Sequence, residues 1–416
     1  MAVGLAAAMP ARVGKGSPEA RALWEKGQAA DKENKFAEAA GFYRQAIDAD
    51  PDYLEAHQRY VMARRRATGA GADDKKPEEI EKLRKAVDQE LTRLYEGWIQ
   101  QHPERAVYHA ALGWLTDGAS SEKHYRRAVE LDLQFSHAWA RLSSIAEKMG
   151  DNARSLEYIE KAVKSDLDDA WILRQYAFKF QTSDPGRYRK LEMEVVKRWP
   201  KSAAAANALN SVATSLADKG DRIPYLERLR VLDPTHRGMS SLFRAYVEQA
   251  PDKALELARD MVKRSKDADL KRWQQNVAFA ESYTEARRLL KGGKFGEAKA
   301  VLEKAKPPGS VVDPTSPNLM KAKATAGAGE PAKAYDELAK LLAEKPNDTL
   351  EKQLRQLGER LNKTNGQVDG DLWTIRAASA TAAKELNLPQ YGEENRKVNL
   401  AEYRGRVVLV NFFFPG

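Results

Sequence analysis

Six histidines are the side chains of this sequence best suited to moving protons or holding a metal: His57, His102, His109, His124, His137 and His236. Two imidazoles grip one ion from a single helix when they stand four residues apart, and no pair here does, so the spacing predicts no metal site. The chain has no cysteine, which excludes disulfides, thiolate ligands and thiol nucleophiles. Ser120-Ser121-Glu122-Lys123 has the S-x-x-K spacing of a serine–lysine nucleophile. It stands at a predicted helix start, where Ser serves as a cap and Glu suits the first turn. H-E-x-x-H, the P-loop, G-x-S-x-G and G-x-G-x-x-G are all missing. The acidic pairs Asp168-Asp169 and Glu393-Glu394 read as solvated turns. No catalytic residue, metal ligand or cofactor is assigned, and no activity is expected.

The bulk composition points to a helical protein with a diffuse positive charge. Of 416 residues, 31% are charged and 8% aromatic, and the net charge is +9. The basic surplus is spread along the chain, which is compatible with an acidic partner and specifies no nucleic-acid site. Arg64-Arg65-Arg66, the densest basic run, reads as a solvated helix end. No window is apolar enough to span a membrane.

The elements that must carry any function recur with a period. In "LWEKGQAADKENKFAEAAGFYRQAIDADP", Leu23, Gly27, Phe36, Ala39, Tyr43, Ala46 and Pro51 occur in fixed order. Gly27 and Ala39 let two helices approach closely, and Tyr43 fills the space beside them. Pro51 stops the second helix, because it has no N–H and disfavours helix in the residue before it. Trp139, Leu142, Ala146, Gly150, Ser155, Ile159 and Ala162 repeat the spacing, and fragments return through Phe295–Ala305 and Ala334–Pro346. This closely resembles the 34-residue tetratricopeptide repeat. About nine helix pairs are expected between Ser17 and Lys363, with degenerate copies near 52–103 and 168–200. Gly- and Pro-rich breaks fall at "ATGAGADDKKPEE" and "KPPGSVVDPTSP".

That resemblance implies an all-α solenoid in which stacked copies bury what one copy cannot. It also implies a protein or peptide partner in a concave groove lined by the first helix of each pair. On the family's register the groove residues are Trp24, Gln28 and Asp31 of the first copy, then His137, Trp171, Arg174, Phe178 and Asn207. Trp171, Arg174 and Phe178 form the expected recognition stripe, since aromatic and Arg side chains dominate protein interfaces. Packing between repeats is the alternative use of Trp171 and Phe178.

The ending reads differently. Glu385–Leu388 and Lys397–Leu400 are short strand candidates around a turn at Gly392, Ala401–Arg404 is one helical turn, and Val407–Phe412 reads as a buried strand. The block Gly405-Arg406-Val407-Val408-Leu409-Val410-Asn411-Phe412 is similar to the opening of thioredoxin-like domains of the TlpA and redoxin type. In those, C-x-x-C follows the Asn by six residues, one position past Gly416. The resemblance implies a thiol–disulfide oxidoreductase cut before its motif, as the alternative to a binding scaffold. It favours a periplasmic or exported setting, with the cytoplasm as the alternative. The expected organisation is 1–16, a disordered start or remnant signal; 17–363, the repeat array; 364–383, a linker; and 384–416, the incomplete thioredoxin-like segment.

Overall fold

A computed structural model describes residues 13–69, 77–165, 169–305, 315–380, 387–390, 393–399 and 403. Twenty helices occur among them, and they run in consecutive antiparallel pairs. The first three pairs are α1 (Pro18–Lys32) with α2 (Phe36–Ala49), α3 (Leu54–Gly69) with α4 (Pro77–Gln101), and α5 (Ala106–Leu115) with α6 (Gly118–Leu131). Next come α7 (Ser136–Lys148) with α8 (Asn152–Ser165), α9 (Ala170–Phe178) with α10 (Pro185–Arg198), and α11 (Ala203–Ser215) with α12 (Lys219–Leu232). The last four are α13 (Met239–Gln249) with α14 (Pro251–Arg264), α15 (Asp267–Lys291) with α16 (Phe295–Lys304), α17 (Thr315–Gly327) with α18 (Pro331–Glu344), and α19 (Asp348–Arg360) with α20 (Asn365–Ser379). The chain divides into two compact units, Met1–Leu242 and Phe243–Gly416.

One turn chemistry closes five of the pairs. The residue two past the end of the first helix is left-handed: Asn34 (φ 59°), Gly150 (78°), Gly293 (73°), Gly329 (91°) and Asn362 (56°). Gly and Asn tolerate that conformation best. The next N–H then reaches the carbonyl five residues back. Lys35 bonds Ala30 at 3.0 Å, Asp151 bonds Ala146 at 2.9 Å and Lys294 bonds Leu289 at 2.9 Å. Glu330 bonds Thr325 at 3.1 Å, and Lys363 bonds Gly358 at 2.9 Å. This closure satisfies carbonyls at the helix end and turns the chain straight into its partner helix.

Small residues then let each pair close. A Cβ added at Gly27 would stand 2.6 Å from the Tyr43 ring, and one at Gly113 2.6 Å from the Tyr125 ring. Tyr43 and Ala39 are fully buried, as the spacing predicted. In the fourth pair serines stand where Gly27 and Ala39 stand in the first, and Ile159 takes the place of the ring. Ser143 Oγ donates to the Ser155 carbonyl at 2.8 Å, and Ser155 Oγ donates back to the Ser143 carbonyl at 2.9 Å.

Within the first unit, turns between pairs are tied by acids. Asp50 accepts the Ser17 N–H at 2.7 Å, and Asp52 pairs with Arg105 at 2.5 Å. The Gly14 N–H donates to the Asp52 carbonyl at 2.9 Å, so residues 13–16 lie against the second pair. The expectation of a disordered start is corrected for those residues; 1–12 lie outside the described ones. His57 is fully buried among Tyr95, Trp98 and Tyr108. Its Nε2–H donates to the Pro51 carbonyl at 2.9 Å, so Nδ1 accepts from the Tyr95 hydroxyl at 3.0 Å.

In the second unit Phe243 meets Trp273 edge-on at 5.9 Å, and Phe279 stacks on Tyr283 at 5.5 Å. The expected linker 364–383 is instead helix through Ser379. A capping box between Thr364 and Gln367 starts α20, and its Val368 and Leu372 join the buried cluster of Tyr335, Leu338 and Leu354. Two apolar residues four apart suffice for a helix when a neighbouring face is waiting. The two short strands form an antiparallel hairpin, β1 (Asn387–Gln390) and β2 (Glu393–Asn399), with Leu388 opposite Val398. The strand expected at 407–412 lies outside the described residues.

This packing can be tested at two positions. Gly27→Ala should lower stability by about 1–3 kcal/mol in a urea melt, because the Tyr43 ring must move. Helix propensity alone predicts a gain of about 1 kcal/mol, so a stabilised variant would contradict the close-approach account. His57, whose pKa burial depresses to about 4, stays neutral in the fold while the unfolded chain protonates below about 6.5. Its contribution is complete above pH 6.5 and disappears progressively down to about pH 4, on the order of 3 kcal/mol in total. His109, His124 and His236 are lowered by burial in the same sense. Urea melts of His57→Gln across that range should therefore show a shallower pH slope than the wild type; equal slopes would contradict the assignment.

Candidate functional site

Both helices of a pair bury side chains, eight residues in α5 and four in α6, and the first helices also present a face outward. In the first unit that face holds a cavity of about 460 Å³. Val61 and Met62 of α3, Trp114 of α5 and Ile145 of α7 supply its apolar wall. Gln58, Ser144 and Thr116 supply neutral polar groups, and Arg65, Arg141 and Lys148 face the single carboxylate of Asp117. Arg65 is held by Asp88 at 2.7 Å. Arg141 and Lys148 make no ion pair among the described residues. Met62 is 45% exposed.

The face continues onto α9. Gln175 donates to Ser144 Oγ at 2.8 Å and to the Ala140 carbonyl at 3.2 Å, which seats α9 against α7 beside the cavity. Trp171 and Phe178 share one side of α9, seven residues apart, and are 54% and 44% exposed. Arg174 lies between them, its guanidinium carbon 5.4 Å from the Trp171 ring centroid and 5.3 Å from that of Phe178. Such stacking fixes two rings that water would otherwise leave mobile.

Arg174 itself is not free to bind. It is buried, pairs with the fully buried Glu192 at 2.9 Å and donates to Ser211 Oγ at 3.0 Å. Burial pushes the Glu192 carboxyl above its ordinary range, against the pull of Arg174. Of the expected stripe, the two aromatics are exposed, and the arginine that orients them is tied from α9 to α10 and α11.

Other residues expected in the groove are committed to the fold. Asp31 accepts the Tyr43 hydroxyl at 3.1 Å and lies 3.8 Å from Arg66. Trp24 packs against Tyr53 at 6.3 Å. His137 Nε2 meets Asp169 at 2.9 Å, and Asp169 caps α9. Burial pushes the Asp169 carboxyl up, but His137 and the Trp171 and Ile172 amides bring it net below its ordinary value. Asn207 bonds its own helix at Ala203, 2.9 Å away. Gln28 stays partly exposed. The basic run is paired as well, Arg64 with Glu90 and Arg65 with Asp88, both at 2.7 Å.

Sequence reasoning missed the cavity because α3 belongs to a copy too degenerate to register. The signal that could have found it was Met62 and Arg65 on the face opposite the buried Ala56, Tyr60 and Ala63.

Among known proteins, the family described as "Tetratricopeptide repeat" matches residues 20–53 and 136–169. These spans are the first and fourth helix pairs. No curated protein matches the chain. Solved structures that it resembles include the P58(IPK) TPR domain, 13% identical over 86% of this chain and 97% of that one, with a TM-score of 0.31. Yeast Tom70 is 14% identical over 87% of this chain and 66% of that one, at 0.34. PilF of Pseudomonas aeruginosa is 11% identical over 62% and 96%, at 0.34.

Removing one member of the buried ion pair should separate structural from exposed residues. Arg174→Met should cost about 3–5 kcal/mol in a chemical melt, since it strands Glu192. Trp171→Ala and Phe178→Ala should each cost under about 1.5 kcal/mol, as partly exposed side chains do. If Arg174→Met were as mild as either, the assignment of Arg174 as a structural tie would be wrong.

Proposed function

We propose that this chain is a protein-interaction scaffold and that its first unit takes a peptide segment of a partner across α3, α5, α7 and α9. The observation that carries this reading is the exposure of Met62 at the cavity, beside the half-buried Trp114 and Ile145 of its wall, together with the exposure of Trp171 and Phe178 on α9. Large apolar side chains are costly to leave in water unless something covers them. The unpaired cations Arg141 and Lys148 beside the apolar wall suit a segment with apolar anchors and an acidic flank. The tetratricopeptide match supports the same class of function. A bound segment would lose water from the aromatic anchors, while Arg174 keeps their rotamers fixed in advance and so reduces the ordering cost.

The redox alternative rests on the resemblance of residues 384–416, as does a periplasmic or exported setting over the cytoplasm. Neither the family match nor the structures compared add support for a thioredoxin-like domain, and a two-stranded hairpin is common to many folds. The exposed face and the repeat match together favour the scaffold.

The test is binding by a chain altered only on this face. Once a partner has been identified and purified, Met62→Ala, Trp171→Ala and Phe178→Ala together should weaken it at least about tenfold, the loss of one or two anchors. Val231→Ala, which removes an exposed side chain from α12, should leave affinity unchanged. Full affinity in the triple variant would contradict the proposal.

A further inference from the structure

The second unit holds a cavity of different character, about 820 Å³ in volume. One side of α15 presents Thr284, Arg287, Arg288 and Lys291, which are neighbours at helical spacing. Lys323 of α17 joins them, and Asp252 at the start of α14 is the one carboxylate of the lining. Arg288 is held by Glu285 at 2.6 Å. Arg287, Lys291 and Lys323 make no ion pair among the described residues. Three like charges lining one cavity repel one another, and a bound anion relieves that repulsion.

Thr284 adds a second, independent sign. Thr325 of α17 keeps a buried hydroxyl without a partner, whereas Thr68, Thr92 and Thr374 return theirs to the carbonyl one turn back at 2.8–3.0 Å. Thr284, which lines the cavity, does not; its Oγ1 is buried and has no partner. A buried hydroxyl without a partner is an uncommon and costly arrangement. The α14 N-terminus opens on the same cavity through Ala250 and Pro251, with no side-chain cap, and its dipole favours negative charge.

We infer that this cavity is a second docking site, for an acidic segment of a protein partner whose Asp or Glu side chains meet Arg287, Lys291 and Lys323. The inference rests on the scaffold reading but uses none of its residues. Among the described residues no aromatic side chain lines the cavity, which disfavours the base stacking that single-stranded nucleic acid needs. The open volume suits several side chains of an extended segment.

The test uses the full chain and a fluorescein-labelled octaglutamate peptide, followed by anisotropy at about 50 mM salt. Binding should be saturable and weaken as salt rises. Arg287→Gln, Lys291→Gln and Lys323→Gln together should raise Kd at least about tenfold. Replacement of the same three by Glu should abolish octaglutamate binding and admit octalysine, with circular dichroism confirming the fold. Unchanged octaglutamate binding in the Glu variant would overturn the site. So would its loss in the Met62, Trp171 and Phe178 triple variant, which would place binding in the first unit. Tighter, Arg287-dependent binding of oligothymidylate of equal charge would overturn the acidic-peptide assignment. Octaglutamate binding that survives the first-unit substitutions while partner binding is lost would separate this inference from the scaffold reading.

Discussion

The contact on which this structure depends is a ring seated where a side chain is missing. Tyr43 lies over Gly27, and Tyr125 lies over Gly113, at distances that no Cβ would tolerate. The two helices of a pair thereby close to near backbone contact, and the second helix spends its apolar surface inside the repeat. The consequence is geometric. Part of a first helix packed this way stays open, and in the first unit the cavity reaches down to the Gly113–Tyr125 contact itself.

Electrostatics sorts the remaining residues. Most charged groups near the turns and helix ends are paired, including each member of the basic run at 64–66. These pairs are largely exposed and contribute little energy singly. The buried pair of Arg174 and Glu192 is another matter. It links three helices of the first unit, and a hydrophobic pair of similar volume could have done so at no electrostatic cost. Its value lies in position: the guanidinium that bridges α9 to α10 also stacks on Trp171 and Phe178. One residue thus serves packing within the unit and presentation on its surface.

The repeat was legible because its logic is local. Gly27, Ala39, Tyr43 and Pro51 each have a reason that can be read from residue type and spacing. The left-handed closures at Gly150 and Gly329 are of the same kind. Helix α20 was illegible because its cause is tertiary: Val368 and Leu372 need α18 to make sense. Arg174 was read as a member of the stripe on its helix, but its carboxylate partner lies 18 residues away on another helix, and nothing local announces that pairing. The two cavities assemble side chains from three or more helices, so periodicity could indicate a face yet not show which cations remain unpaired.

The central claim is that the outward face of the first helices is where partners bind. Site-specific photo-crosslinking tests it most directly, with a photoreactive residue placed at Met62 or Trp171 in one set of chains and at Val231 in another. If partners bind there, one purified partner crosslinks at Met62 and Trp171 and not at Val231. Crosslinking at Val231 alone, or equally at all three, would contradict the claim.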